Sequence, residues 1–265
     1  MQIVTSASEI DGGCTFVPTM GALHLGHAQL FKLAKSRSDF VVASIFVNPL
    51  QFDDAQDLAN YPRTPDQDIE IAAESGVTHL WLPTQDEIYP PEVKSLSAGE
   101  LGKIYEGTNR PGHFDGVVTV VSRLFELLKP KAAIFGEKDF QQLTLIREIA
   151  KGVEIVAAPT VREKDGLAMS SRNVRLSKED RNAAIVLYQA LIAAKNSSNV
   201  TQARSLMHEI MATQPSFKLD YAEVIDEQDF SIATDSTLNL RAIVAGWLNG
   251  VRLIDNMQMT SGGQR

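Results

Sequence analysis

Short apolar runs alternate with stretches of helical spacing through the first part of the chain. Continuous apolar segments at Cys14–Val17, Phe40–Val47, His79–Leu82, Ala132–Phe135 and Val153–Ala157 predict strands. Between them, Leu25–Ser36, Asp66–Ser75, Gly116–Leu128 and Phe140–Ala150 carry apolar residues three and four apart, the spacing of one helix face. In the third of these, Val117, Val121, Leu124, Phe125 and Leu128 form a single stripe. Strands that lack polar alternation are buried on both faces, so the pattern predicts an α/β unit with a parallel sheet covered by helices. Sheets of this kind bind ligands at the carboxyl ends of their strands. His24, Asn48 and Lys138 each follow a predicted strand end.

After Pro159 the pattern changes. Ser177 with Asp180 reads as a capping box opening a helix in which Ala184, Leu187, Leu191 and Ala194 are in phase. Asn196–Asn199 is a polar break, and Thr201 starts a second helix carrying Leu206, Met207 and Ile210. Strands are expected at Leu219–Ile225, Leu240–Leu248 and Val251–Met257, the last two joined by Asn249-Gly250, a strong type I′ hairpin signal. These elements predict a smaller α+β domain over residues 164–265 behind an α/β domain over residues 1–163. Thr260–Arg265 is polar and glycine-rich and reads as a frayed end.

Composition narrows the function. The chain has 265 residues, 44% hydrophobic and 22% charged, which suits one large or two modest globular domains. A formal charge of -8 and a pI near 5.2 argue against a nucleic-acid partner, whose footprint is a basic face. The single cysteine, Cys14, cannot form a disulfide framework and opens an apolar strand, so it reads as a small core residue. No apolar run reaches membrane-spanning length and the N-terminus lacks a secretory pattern. A soluble, cytoplasmic protein is expected.

The chemistry concentrates in Pro18-Thr19-Met20-Gly21-Ala22-Leu23-His24-Leu25-Gly26-His27. A strand ends, glycine punctuates a turn, and a helix begins, which makes an anion site from the helix N-terminus. Imidazoles at i and i+3 project to one side, and Gly26 between them leaves room for a flat ring to approach the backbone. The arrangement suits a nucleoside triphosphate and is similar to the His-x-Gly-His signature of class I adenylyl-transferring enzymes. A structural histidine pair also fits the spacing. A zinc site fits less well, because His-x-x-x-His is the usual helical spacing and no cysteine or acidic partner lies nearby. The glycine fingerprint of a dinucleotide site is absent.

Four further segments bear polar groups at junctions. Asn48-Pro49-Leu50-Gln51-Phe52 puts an amide pair at a strand's carboxyl end, although Asn-Pro is also a common turn. His113, in Arg110-Pro111-Gly112-His113-Phe114, either lines a site or serves its loop. Gly136-Glu137-Lys138-Asp139 places a lysine at a strand–helix junction, where it can meet a phosphate, and leads into Gln141 and Gln142. Met169-Ser170-Ser171-Arg172-Asn173 gathers hydroxyls and a guanidinium that can clamp a pyrophosphate. It resembles the Lys-Met-Ser-Lys-Ser loop that accompanies His-x-Gly-His in class I synthetases.

Taken together the segments resemble one family, the pantoate–β-alanine ligases. Phe16–His24, Ser44–Phe52, Tyr61-Pro62-Arg63-Thr64, Arg110–Phe114, Phe135–Gln142, Asp165–Asn173 and Arg252–Asn256 carry the match. Two departures lie outside these motifs: a shorter link between Ile149 and Val153, and Asn249-Gly250-Val251 where Gly-Lys-Thr is usual. The resemblance implies a Rossmann-like parallel-sheet domain holding nucleotide and pantoate. It implies condensation of pantoate with β-alanine through a pantoyl adenylate, with release of AMP and pyrophosphate. ATP would meet Met20, Gly21, Ala22, Leu23, His24, Leu25, Gly26, His27, Gly136, Glu137, Lys138, Asp139, Val161, Met169, Ser170, Ser171 and Arg172. Pantoate would meet Gln51, Gln142, Asn48 and His113, with Gln51 shared by β-alanine. His27, His24, Lys138 and Arg172 would carry the catalysis, His27 in the family's role of proton donor. Magnesium would arrive with ATP, since no carboxylate cage is visible, and a homodimer is implied. Two rivals remain: a nucleotidyltransferase acting on a phosphorylated acceptor, and a non-catalytic ATP-binding sensor.

Overall fold

A computed structural model describes residues 1–52 and 55–259, so Thr260–Arg265, expected to fray, lies outside the described residues. By contacts the chain divides into two compact units, Met1–Val161 and Arg162–Arg265. Among the described residues no helix is long and apolar enough to cross a membrane.

The first unit contains strands β1 (Gln2–Val4), β2 (Thr15–Thr19), β3 (Val41–Ile45), β4 (His79–Trp81), β5 (Ala132–Gly136) and β6 (Glu154–Ala158). Its helices are α1 (Leu25–Arg37), α2 (Ala55–Ala59), α3 (Pro65–Glu74), α4 (Gln85–Ile88), α5 (Glu106–Asn109), α6 (His113–Leu128) and α7 (Phe140–Ile149). The strands are parallel in the order β1-β4-β3-β2-β5-β6. Val41, Val42, Ala43 and Ser44 are wholly buried, as expected of a strand covered on both faces. The sheet grows from β2 to β3 on one side and returns through β5 on the other. The carboxyl ends of β2 and β5 therefore flank the reversal of strand order, where open α/β sheets form a crevice.

Strand β1 and the start of α6 differ from the sequence reading. Strand β1 was not expected; only its Val4 is buried, so its three residues give little hydrophobic signal. Helix α6 begins three residues early, behind Gly112 at φ 79°, and Val118 and Val120 are buried beside the expected stripe. It is covered on more than one face. The short link after α7 is accommodated by Gly152 at φ 76° and a hydrogen bond from Lys151 N to Ile149 O at 2.8 Å.

The second unit holds helices α8 (Lys178–Ala183), α9 (Val186–Lys195) and α10 (Val200–Ala212) and strands β7 (Phe217–Asp226), β8 (Leu240–Leu248) and β9 (Val251–Gln258). The strands form an antiparallel sheet in chain order. Its core joins Leu187, Leu191 and Met207 from the helices to Val224, Val244 and Leu248 from the sheet. The expected first helix is two, because the helical path breaks at Ala184–Ile185 while the apolar phase continues. Ser177 caps α8 by accepting from Asp180 N at 3.0 Å. The reverse arm of the box is replaced by the Ser177 hydroxyl donating to Asp180 Oδ2 at 2.9 Å. Asn249 (φ 46°) and Gly250 (φ 80°) turn the β8–β9 hairpin with Leu248 opposite Val251, the geometry that the Asn-Gly pair predicts.

Candidate active site

The turn after β2 is fixed by polar contacts on each side. Thr19 donates its hydroxyl to Ser44 O at 2.7 Å and accepts from Gly21 N at 3.2 Å. Gly21 and Ala22 then take left-handed conformations, φ 79° and 50°. Their direction is held by Asp68 of α3, which accepts from Ala22 N at 3.0 Å and from Leu23 N at 2.7 Å. Sequence reasoning missed Asp68. In Thr64-Pro65-Asp66-Gln67-Asp68 it looks like another acid in a helix's first turns.

His24 enters as the N-cap of α1 in extended conformation, φ -144° and ψ 178°. Its Nδ1 accepts from Gly26 N at 3.1 Å, and His27 Nδ1 accepts from His24 N at 3.3 Å. A ring nitrogen that accepts carries no proton, so both rings are Nε2–H tautomers. The ring centroids lie 4.2 Å apart. Burial pushes His24 down to about 4, helped by the charge of Lys138 and opposed by Asp139. Burial pushes His27 down to about 3, helped by His24 and Lys138. Near neutral pH the pair is uncharged and offers two N–H donors. The expected anion site is thereby modified: the imidazoles tie off the amides of His24 and Gly26, and the ring edges replace them as donors.

Lys138 reaches this corner from the adjacent strand. β5 pairs directly with β2, and the 3-10 turn Glu137–Asp139 follows Gly136 at its end. Lys138 Nζ lies 3.7 Å from Asp139 Oδ1, and its charge is felt by both histidines. His24, His27, Lys138 and Asp139 are thus brought together.

A second cluster surrounds Gln51. Asn48 is buried and its amide is fully engaged: Nδ2 donates to Gln51 Oε1 at 3.0 Å and to Gly116 O at 3.1 Å. Its Oδ1 accepts from Leu50 N at 3.2 Å and from the Tyr89 hydroxyl at 2.6 Å. Burial raises the Tyr89 phenol well above its ordinary value, so it remains a donor. His113 Nδ1 donates to Gln51 O at 2.7 Å while its Nε2 accepts from Arg110 at 3.0 Å. Asn48 and His113 therefore orient Gln51 through its side chain and its carbonyl. The Gln51 Nε2 amide has no protein partner among the described residues. Close approach makes this possible: a Cβ on Gly116 would lie 2.2 Å from Leu50 O. On α7, Gln141 is committed to Leu101 O, Ile104 O and Glu106 N. Its neighbour Gln142 is part-buried and has no hydrogen-bond partner among the described residues. Val161, also part-buried, closes the first unit.

Met169–Arg172 belong to the second unit. Arg162 forms a two-pronged pair with Asp255 at 2.5 and 3.0 Å and donates to Gly166 O and Asn256 O. Its guanidinium stacks 5.0 Å from the Tyr188 ring. Gly166, at φ 96°, packs so closely that a Cβ would lie 2.0 Å from that ring. From this anchor the chain returns through an Arg162–Ala168 bridge. Ser170 then caps the 3-10 turn Ser171–Arg175 by accepting from Arg172 N at 3.2 Å. Asn173 donates to Ala168 O at 3.1 Å.

The parallel sheet, its switch point and the imidazole pair beside a lysine are the arrangement expected of an α/β enzyme of the His-x-Gly-His type. Comparison with known proteins makes this specific. The sequence matches the family pantoate-beta-alanine ligase over residues 2–258, and the chain belongs to that family. It is 44% identical to a pantothenate synthetase of Acidothermus cellulolyticus, covering 97% of this chain and 89% of the relative. A solved pantothenate synthetase from Thermus thermophilus superposes with a TM-score of 0.93 at 42% identity, covering 98% of this chain and all of the other. A pantoate-beta-alanine ligase from Francisella tularensis, solved with β,γ-ATP and β-alanine, gives a TM-score of 0.81 at 35% identity, covering 97% of each chain.

Proposed function

We propose that this chain is an ATP-dependent ligase that joins pantoate to β-alanine. The observation that carries the reading is the pair of Nε2–H imidazoles beside Lys138 at the strand-order switch. The same unit holds a glutamine oriented by two buried side chains. A free carboxylate does not acylate an amine near neutral pH, because its oxygen is a poor leaving group. In this reading a pantoate carboxylate oxygen attacks the α-phosphorus of ATP and the bond to the β-phosphate oxygen breaks, releasing pyrophosphate. The amine of β-alanine then attacks the acyl carbon, AMP leaves, and the amine loses a proton.

Negative charge accumulates on the departing pyrophosphate in the first step. His24 and His27 supply neutral N–H donors and Lys138 a cation where such charge can be met, and preorganised donors lower the barrier without reorganising. His27 contributes as a hydrogen-bond donor more than as an imidazolium acid, since its pKa lies well below neutrality. Gln51 and Gln142 read the pantoate hydroxyls, with Asn48 and His113 orienting Gln51. Gln51 also meets β-alanine. The remaining ATP contacts, Met20–Leu23, Leu25, Gly26, Gly136, Glu137, Asp139 and Val161, follow from the motifs. So does the assignment of Met169, Ser170, Ser171 and Arg172. Magnesium is treated as part of the nucleotide substrate: Asp68 is committed to backbone amides and Asp139 lies beside Lys138. We assign a cytoplasmic homodimer by family likeness, for which sedimentation at micromolar concentration is the check.

The test is isotope exchange. With pantoate present and β-alanine absent, labelled pyrophosphate should enter ATP, because reversal of the first step is sufficient. Addition of β-alanine should release AMP in step with product. Release of ADP, or exchange that needs a phosphorylated acceptor instead of pantoate, would overturn the reading.

A further inference from the structure

We infer that Asp68 is a positioning residue of the nucleotide site, setting the entry of the His24–His27 helix by gripping the turn before it. Asp68 is 2% exposed. Its two oxygens accept from Ala22 N, Leu23 N and the Thr64 hydroxyl, the last at 2.9 Å. No arginine or lysine is among these bonds, so the carboxylate charge is met by oriented backbone dipoles. Ala22 is held at φ 50°, a conformation that a non-glycine residue keeps only when its surroundings fix it. A Cβ on Gly21 would lie 2.9 Å from Asp68 Oδ2 and 3.0 Å from Ile45 Cγ2. The carboxylate therefore packs directly against the turn.

The consequence runs along the chain. With the Ala22 and Leu23 amides turned toward α3, the next residue leaves the turn extended and becomes the cap of α1. The His24 N–H then points at His27 Nδ1, and that bond fixes the His27 tautomer. Both oxygens of Asp68 face protein groups, so it acts through His24 and His27 instead of touching a substrate. A negative charge so near a triphosphate site would oppose binding if it were free. Its full engagement by N–H and O–H donors reduces that cost.

This inference rests on the ligase reading, and wild-type turnover with all three substrates checks that reading separately. The test of Asp68 is the ratio of variant to wild type. Asp68→Asn keeps the volume but puts an amide NH2 against one backbone N–H. Its kcat/KM for ATP should fall at least about thirtyfold while KM for pantoate changes less than about threefold. The melting temperature is recorded so that assays are made on folded protein. A folded Asp68→Asn enzyme within about threefold of wild type for ATP, or one losing pantoate and ATP equally, overturns the inference. If Asp68→Asn does not fold, Thr64→Val decides. It leaves the carboxylate but removes one of its donors, and KM for ATP should rise at least about threefold with pantoate unaffected. Wild-type behaviour of that variant overturns the inference.

Discussion

His24 and His27 cap one another's turn: the backbone N–H of His24 donates to the ring of His27, and the ring of His24 accepts from Gly26. The same bonds that start the helix leave an N–H on the outer nitrogen of each ring. Fold and chemistry therefore cannot be varied independently here.

A pH consequence follows. Both rings sit far below the ordinary imidazole value of 6.5, near 4 and near 3. In the unfolded chain they protonate first as pH falls, so the stability tied to the neutral rings is present above about 6.5. It is lost progressively as pH drops toward 4. Nitrogen NMR of the ligand-free protein at pH 7 should show both as Nε2–H tautomers with no imidazolium above about pH 5. A midpoint near 6.5 for either ring would contradict the geometry.

His27→Ala should lower pantoate-dependent pyrophosphate exchange by about two orders of magnitude, the usual effect of removing one preorganised donor. The cap bond from His24 N is lost too, so circular dichroism and a melting curve must show that the variant is folded. Near-wild-type exchange would remove His27 from the chemistry.

Gln51→Ala and Gln142→Ala should raise KM for pantoate by at least about tenfold with far less effect on ATP, since a buried polar partner left unpaired is costly. Asn48→Ala should behave like Gln51→Ala, because every hydrogen bond of Asn48 is to protein and one of them orients Gln51. A different substrate dependence for the two variants would separate their roles.

Asp255→Ala removes the 1% exposed partner of Arg162. Leaving one charge of a buried pair uncompensated costs about 3–5 kcal/mol. Urea unfolding should register a loss of that size in the second unit. A change under about 1 kcal/mol would mean that the pair is screened by solvent.

Much of this was legible in the sequence. Val41–Ile45 and Ala132–Gly136 are apolar without alternation, and such runs read as parallel strands. The Asn249-Gly250 turn announces itself because few other pairs tolerate two positive φ values. The placement of the His-x-Gly-His residues, Lys138 and Asn48 after strand ends was visible because each follows an apolar run directly in the sequence. Other features were not legible. The break at Ala184–Ile185 leaves the apolar phase intact, so periodicity runs straight through it. Asp68 acts on a turn 45 and 46 residues away, a tertiary relation with no local signature. Asn48 looks like a reader of substrate until its four bonds are counted.

The contact between Gly116 and Leu50 bears on the substrate range of the proposed reaction. The backbone bearing Gln51 rests on α6 with no side chain between them, so hard-core repulsion sets its depth on that side. Hydrogen bonds stretch under load and steric walls hardly yield. In the proposed reading, in which Gln51 reads pantoate, a larger acyl acid would gain no room by pressing Gln51 backward. Any residue larger than glycine at position 116 would push the Leu50–Gln51 backbone away from α6.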